Sequence, residues 1–128
     1  MKIKLTSIFV YDQEEALKFY TEVLGFEKKN DFPVGKARWL TVVSTEEPEG
    51  TELVLEPGEN PAAKVFRKAI YEQGIPFTAF MVADIQKEYK RLTRLGVAFK
   101  GEPTNMGMTS MAMFDDTCGN LIQIFQVL

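Results

Sequence analysis

The 128-residue chain has no histidine, one cysteine and one tryptophan. The lack of histidine excludes Ser-His-Asp and Cys-His nucleophile activation, histidine general bases, and zinc or iron sites of the histidine type. Any chemistry must come from carboxylates, tyrosine, lysine, Cys118 or a bound cofactor. A lone cysteine excludes an intrachain disulfide, and Cys118 lies in a turn with no neighbour that would promote its thiolate. We therefore expect Cys118 to be inert.

Excess charge and long apolar runs are also missing. The net charge is −3 and the basic residues are scattered, so neither nucleic acid nor an anionic membrane is an expected partner. No apolar run approaches the ~20 residues that span a bilayer, and the N-terminus lacks the pattern of a signal peptide. We therefore expect a cytoplasmic protein. Its length and 45% hydrophobic content fit a single globular domain, residues 1–128.

The stretch from 7 to 27, SIFVYDQEEALKFYTEVLGFE, combines a strand, a helix and a helix stop. Asp12 stands at the N-cap, apolar residues then recur every three or four positions, and Gly25 ends the helix. A weaker copy, AFMVADIQKEYKRLTRLGVAF, places Asp84 72 positions after Asp12, and Gly96 closes its helix one residue earlier. One unit made twice is indicated, and two such copies should bury their apolar faces in one core.

Periodicity and turn residues predict the remaining elements. We expect helices over 12–24, 61–73 and from Asp84, strands over 2–11, 26–32, 37–44, 51–56, 77–82, 97–100, 108–115 and 121–127, and turns at 33–35 and 103–107. The chain then reads as a βαβββ repeat (1–57), a connector helix (58–74) and a second βαβββ repeat (75–128). This predicts an α+β fold with a curled mixed sheet around a shared trough, whose inner face is the default ligand site.

Three segments carry a resemblance to a known family: VYDQEEALKFYTEVLGFE, its echo VADIQKEYKRLTRLGVAF, and the closing FDDTCGNLIQIFQ. Together they resemble the vicinal oxygen chelate superfamily of glyoxalases, bleomycin resistance proteins and dioxygenases, over the whole chain. That superfamily includes isomerases, lyases, dioxygenases and non-catalytic antibiotic-sequestering proteins, so the resemblance implies a fold more than a reaction. It also implies a homodimer, because dimers are common in the family.

Catalytic members of the family hold a divalent metal with His or Glu at four strand positions. The resemblance places Leu5, Val54, Phe77 and Gln123 there, and three of these have no lone pair to donate. A two-residue slip would bring in Glu52 or Glu56, which with Gln123 is still too few ligands. Family glyoxalases also hold the glutathione carboxylate with an arginine where this chain has Phe9. We expect no metal cofactor.

Several candidates have two interpretations. Glu52 and Glu56 could act as a general base, or could lie at strand ends in water, which the usual exposure of glutamate favours. Trp39 could form a platform for a flat or cationic ligand, whereas a core or dimer-interface position is the more common one. Gln123 could orient a ligand or bond a cross-strand neighbour, with no preference between the two.

Four methionines cluster around the seventh predicted strand: Met106, Met108, Met111 and Met113. Methionine-rich surfaces adapt to several ligands, although ordinary core filling is more usual.

Our leading hypothesis is a metal-free protein that binds a small, largely apolar or aromatic molecule in the trough. The candidate ligand-binding residues are Leu5, Ser7, Phe9, Trp39, Thr41, Glu52, Val54, Phe77, Met111, Met113, Gln123 and Phe125. The alternative is a glyoxalase-type lyase or isomerase, similar to lactoylglutathione lyase, with an atypical or absent metal site and Glu52 or Glu56 as catalytic residue. A third possibility is a degenerate scaffold that acts only as a partner-binding dimer.

Overall fold

The computed structural model describes all residues, Met1–Leu128, and the chain divides into two compact units, Met1–Phe66 and Arg67–Leu128. The first unit has a four-stranded mixed sheet in the order β1-β4-β3-β2, in which β1 is parallel to β4 and the other pairs are antiparallel. Its elements are β1 (Leu5–Val10), α1 (Gln13–Lys18), a π-helical continuation of α1 (Phe19–Val23), β2 (Glu27–Val34), β3 (Ala37–Val43) and β4 (Glu52–Pro57).

The second unit repeats this arrangement. Its sheet has the order β5-β8-β7-β6, with β5 parallel to β8. Helix α2 (Pro61–Glu72) precedes β5 (Thr78–Met81), α3 (Ile85–Arg94), β6 (Thr104–Met106), β7 (Thr109–Asp115) and β8 (Leu121–Val127). The α+β class and the predicted order of two βαβββ repeats around a connector helix are confirmed, and neither sheet closes. The single domain and the shared trough stay predictions.

Both repeat helices begin and end as the sequence predicts. The Asp12 side chain accepts from the Glu15 amide at 2.9 Å, and that of Asp84 accepts from the Lys87 amide at 3.0 Å. Each carboxylate thereby satisfies an amide that has no partner within its helix. Gly25 and Gly96 both have φ +89°, the left-handed conformation that ends a helix and that a residue with a Cβ adopts only under strain.

The first helix differs from the predicted continuous α-helix over 12–24. From Phe19 to Val23 it is a π-helix, and the Leu24 amide bonds the Phe19 carbonyl at 3.0 Å, five residues back. A π-turn holds one residue more than an α-turn between bonded groups. The first copy has one residue more than the second between the N-cap aspartate and the closing glycine. The π-turn accommodates this extra residue.

The predicted strand over 97–100 is wrong. Only an isolated bridge joins Phe99 to Phe114, and β6 instead occupies Thr104–Met106, inside the segment that we predicted as a turn. The chain reverses through Gly107 and Met108, and Gly107 has φ +73°, so β6 and β7 form a hairpin with a two-residue loop. Because a proline precedes β6 and a glycine follows it, the sequence pattern predicted a turn where this three-residue strand lies.

Two strand limits also differ from the prediction by more than one residue. β1 begins at Leu5 rather than at residue 2, and β2 runs through Pro33 to Val34 instead of ending at Phe32. β2 lies at the edge of its sheet, where a proline costs no hydrogen bond to an outer strand. Pro33 is therefore part of the strand, and Gly35 alone marks the turn.

The motif between β7 and β8 folds around a buried carboxylate. Asp116 is fully buried, and its Oδ1 accepts from the amides of Cys118 and Asn120 at 2.7 and 2.9 Å. Oδ2 accepts from the Asn120 side chain at 3.0 Å. The turn buries Cys118 to 2% exposure, in agreement with an unreactive thiol.

One face of each sheet packs against helices and forms a core. In the first unit α1 contacts β3 and β4, and the buried residues include Ile8, Val10, Leu40, Val42, Leu53 and Leu55. In the second unit α3 contacts β7 and β8 over Ala112, Phe114, Ile122 and Ile124. Because side chains alternate along a strand, the residues between these point to the other face of each sheet, which we call the open face.

Candidate functional site

The register of β1 and β4 places most first-unit candidates on one open face. Side chains paired across two strands lie on the same side of a sheet. The three pairs are Leu5 with Glu52, Ser7 with Val54, and Phe9 with Glu56. Leu5 is 46% exposed and Phe9 is half-buried, whereas Val54 is 3% exposed.

Two further candidates join this face from β3. Thr41 pairs with Val54, and Trp39, two residues earlier, points the same way. Trp39 is half-buried and lines a cavity of about 190 Å³ together with Val54 and Glu56. Trp39 is therefore not a core residue and contributes to the open face instead. A dimer-interface position, the other half of the favoured interpretation, stays a prediction.

Glu52 contradicts the expectation of a solvent-exposed strand end. It is 7% exposed, and its Oε1 accepts from Thr41 Oγ1 at 2.8 Å and from Asn30 Nδ2 at 2.9 Å. Lys4 Nζ lies 3.7 Å from its Oε2. All four residues from Glu52 to Leu55 are buried, so this part of β4 is covered on both faces. Glu56 is half-exposed.

The opposite face of β3 is held by a network around Arg38. Its guanidinium donates two bonds to the Asp31 carboxylate, at 3.0 and 2.8 Å, and one to Glu14 at 2.9 Å. These bonds favour the charged forms, so they lower the pKa of Asp31 and raise the pKa of Arg38. The Gln13 carboxamide bonds the amide and carbonyl of Arg38 and the carbonyl of Leu55, which ties β3 to β4.

In the second unit three of the candidates, Met111, Met113 and Gln123, line a larger cavity. Met111 pairs with Phe125, and Met113 pairs with Gln123, so all four lie on one open face. The cavity has a volume of about 390 Å³ and is lined by Lys100, Gly101, Glu102, Thr104, Met106, Met111, Ala112, Met113 and Gln123. Three methionines and Ala112 supply its apolar lining, and Lys100, Glu102, Thr104 and Gln123 supply polar side chains.

Core filling, the more usual interpretation of these methionines, is wrong. Met111 and Met113 are half-buried, and Met106 and Met108 are 60% and 77% exposed. Met108 lies in the hairpin loop and does not line the cavity. The Gln123 carboxamide makes no hydrogen bond to a neighbouring strand, so its polar atoms are available to the cavity.

Not all candidates meet at these cavities. Leu5, Ser7, Phe9, Thr41, Glu52, Phe77 and Phe125 do not line either of them. A third cavity of about 340 Å³ lies near Asp12 and Asn60 and contains no candidate. Sequence reasoning missed Thr104, because the segment around β6 was taken for a turn. It missed Lys100 as well, which it placed at the end of the predicted strand over 97–100. It also missed Asn30, which an antiparallel pairing of the second and third strands would have placed beside Thr41.

A divalent metal does not fit the residues at the positions of the family ligands. Leu5 and Val54 in the first unit and Phe77 in the second offer no donor atom, and Gln123 offers only a neutral amide. The nearby Glu52 carboxylate is engaged by three side chains. No group of three or more His, Cys, Asp or Glu residues is placed to hold a metal ion.

None of the helices has the length and hydropathy to cross a membrane.

Comparisons with known proteins agree with this architecture. The uncharacterized protein YurT of Bacillus subtilis (strain 168) is 63% identical over 126 residues, 98% of this chain and 99% of that protein. The crystal structure of UcmS2 superposes with a TM-score of 0.84 at 35% identity, covering 98% of this chain and 97% of that one. TnmS3, an antibiotic binding protein from Streptomyces sp. CB03234, has a TM-score of 0.77 at 30% identity, covering 100% and 97%. The family model for the Glyoxalase/Bleomycin resistance protein/Dioxygenase superfamily matches residues 2–124, and the chain belongs to that superfamily.

Proposed function

We propose that this protein binds a small, largely apolar or aromatic molecule without the help of a divalent metal. The observation that carries the proposal is the methionine-lined cavity on the second sheet. Its volume of about 390 Å³ lies within the usual range for small-molecule pockets, roughly 300–1,000 Å³. Methionine side chains beside a small number of polar side chains are the composition expected of such a site.

The side chains suit a flat ligand with one or two polar groups. Met111 and Met113 present polarizable thioethers, which contact aromatic rings favourably and adapt their rotamers to different shapes. The Gln123 carboxamide beside them can donate and accept. The Thr104 hydroxyl donates to the Glu102 carbonyl at 3.2 Å and can still accept from a ligand. A ring on the methionines and a carbonyl or hydroxyl group on Gln123 would use both parts of the cavity.

The similarity to an antibiotic binding protein supports the same class of function. A protein that sequesters an antibiotic needs a pocket and no reacting group. The absence of donor atoms at three of the four family ligand positions is consistent with such a role. We therefore place this chain among the non-catalytic members of its superfamily, with an antibiotic-like aromatic compound as the ligand class.

Methionine methyl groups offer a direct test. With the six methionines labelled at the ε-methyl carbon, titration with 2-naphthol should shift the resonances of Met111 and Met113 in a saturable way. The resonance of Met108, which is exposed and outside the cavity, should not move. The double variant Met111→Ala/Met113→Ala should lose binding, whereas Met108→Ala should retain it. Equal shifts at all methionines, or none at millimolar naphthol, would refute the proposal.

A further inference from the structure

The open face of the first sheet carries a row of four side chains, one from each strand. Phe9 of β1 pairs with Glu56 of β4, and Trp39 of β3 pairs with Phe32 of β2. Trp39 and Glu56 meet at the cavity of about 190 Å³. The order across the sheet is therefore Phe9, Glu56, Trp39 and Phe32, which places one carboxylate between aromatic rings. We call these four residues the aromatic row.

The charge of Glu56 is not neutralised within the protein. Its carboxylate makes no hydrogen bond or ion pair, although it is half-buried. Arg38 is the one cationic residue that lines the cavity, and its guanidinium is bonded to Glu14 and Asp31. Phe32 is 50% exposed, so the outer end of the row is open to solvent. The row thus combines an available negative charge with three exposed or half-exposed ring surfaces.

We propose that the aromatic row binds an organic ammonium group. The faces of aromatic rings carry partial negative charge and attract cations, with tryptophan the most effective, and a carboxylate supplies the counter-charge. A quaternary ammonium group fits best, because its methyl groups contact the rings and its weak hydration makes desolvation easy. A metal ion fits poorly, since one carboxylate leaves most of its coordination positions to water.

This site is independent of the proposed function. It lies on the first sheet, whereas the methionine-lined cavity lies on the second, and no residue contributes to both. A failure of naphthol binding would leave the aromatic row untouched, and a failure of ammonium binding would leave the methionine cavity untouched.

Trp39 is the only tryptophan, so its fluorescence reports on the row directly. Choline and its neutral isostere 3,3-dimethyl-1-butanol have nearly the same shape and differ in charge. We expect choline to change the emission of Trp39 with saturation in the millimolar range, and the alcohol to bind at least about fivefold more weakly. Equal responses to the two compounds, or no response to either, would overturn the inference.

Variants separate charge from packing. Glu56→Gln keeps the shape of the side chain and should weaken choline at least about fivefold without affecting the alcohol. Phe9→Leu should weaken choline by a smaller factor, because it removes one ring. Glu46→Gln, in an exposed loop outside the row, is the matched control and should leave binding unchanged. Choline binding that is equal in Glu56→Gln and Glu46→Gln, with the urea midpoints of both unchanged, would contradict the role of the carboxylate.

Discussion

Replacing Thr41 with valine removes one hydroxyl group from a buried polar cluster while keeping the shape of the side chain. Thr41 is fully buried, and its Oγ1 donates to Glu52 Oε1 at 2.8 Å. The same oxygen accepts from the Asn30 amide at 3.2 Å and from Asn30 Nδ2 at 3.3 Å. The variant thus leaves a buried carboxylate with one donor fewer and removes an acceptor from the partly buried Asn30 amide.

The expected cost follows from these contacts. A hydrogen bond to a charged group contributes about 1.5–3 kcal/mol when its loss leaves the charge buried. Lys4 cannot compensate, because its ammonium is 3.7 Å from Glu52 and its side chain is 41% exposed. We expect the free energy of unfolding to fall by about 2 kcal/mol. For a chain of this length that is a loss of ~7 °C in Tm.

Urea unfolding followed by Trp39 fluorescence measures the first unit, which contains both the reporter and the cluster. The matched control is Thr6→Val, an exposed strand threonine, which should change the free energy of unfolding by less than about 0.5 kcal/mol. In the double variant Thr41→Val/Glu52→Leu, the carboxylate is gone and the two costs should not add. A Thr41→Val protein as stable as the Thr6→Val control would refute the reasoning.

Three further predictions follow from the networks on the helix-covered face and from the donor set. Arg38 lowers the pKa of Asp31, so their pairing stabilises the protein above the unfolded pKa near 3.8 and is lost as pH falls through the lower folded pKa. Asp31→Asn should therefore remove about 0.5–1 kcal/mol at pH 7, and progressively less as the pH falls through the folded pKa, measured as urea midpoints. Gln13→Ala leaves three backbone groups of Arg38 and Leu55 without partners and should lower the free energy of unfolding by about 2–3 kcal/mol, whereas an unchanged urea midpoint would show that water replaces the amide. The protein should not turn over methylglyoxal hemithioacetal, either with or without EDTA. Protein purified without added metal should contain far less than one equivalent of zinc, nickel, manganese or iron. Activity in either assay condition would restore the lyase alternative.

The repeat made most of the fold predictable from the sequence. Asp12 and Asp84, each followed by an amphipathic run and a glycine, fixed both helices through capping chemistry that acts within a few residues. The apolar-rich run over 121–127, which follows the turn at Gly119 and Asn120, predicted β8 with its observed limits. β6 was missed because a strand of three residues is too short to show a hydrophobic period in the sequence. It forms only by pairing with β7, which no local pattern reveals.

Only those features of the candidate site that depend on the alternation of side chains along a single strand were predictable from the sequence. The grouping of Leu5, Ser7 and Phe9 on one face needs only the two-residue period of a strand. The burial of Glu52 depends on Asn30 and Thr41, which reach it from two other strands, and no local pattern specifies that register. The sheet face to which Trp39 points likewise follows from the pairing of Thr41 with Val54. Strand pairing determines it, and residue type does not.

The wide turn in the first helix has a consequence for protein engineering. Adding one residue to a regular α-helix rotates everything after it by about 100°, which would turn Gly25 and the start of β2 away from their places. Confining the insertion to the π-helical turn leaves the strands on either side undisturbed. A chimera that exchanges the two repeat helices should therefore be cut outside Phe19–Val23, and a one-residue deletion is better tolerated there than elsewhere in the helix.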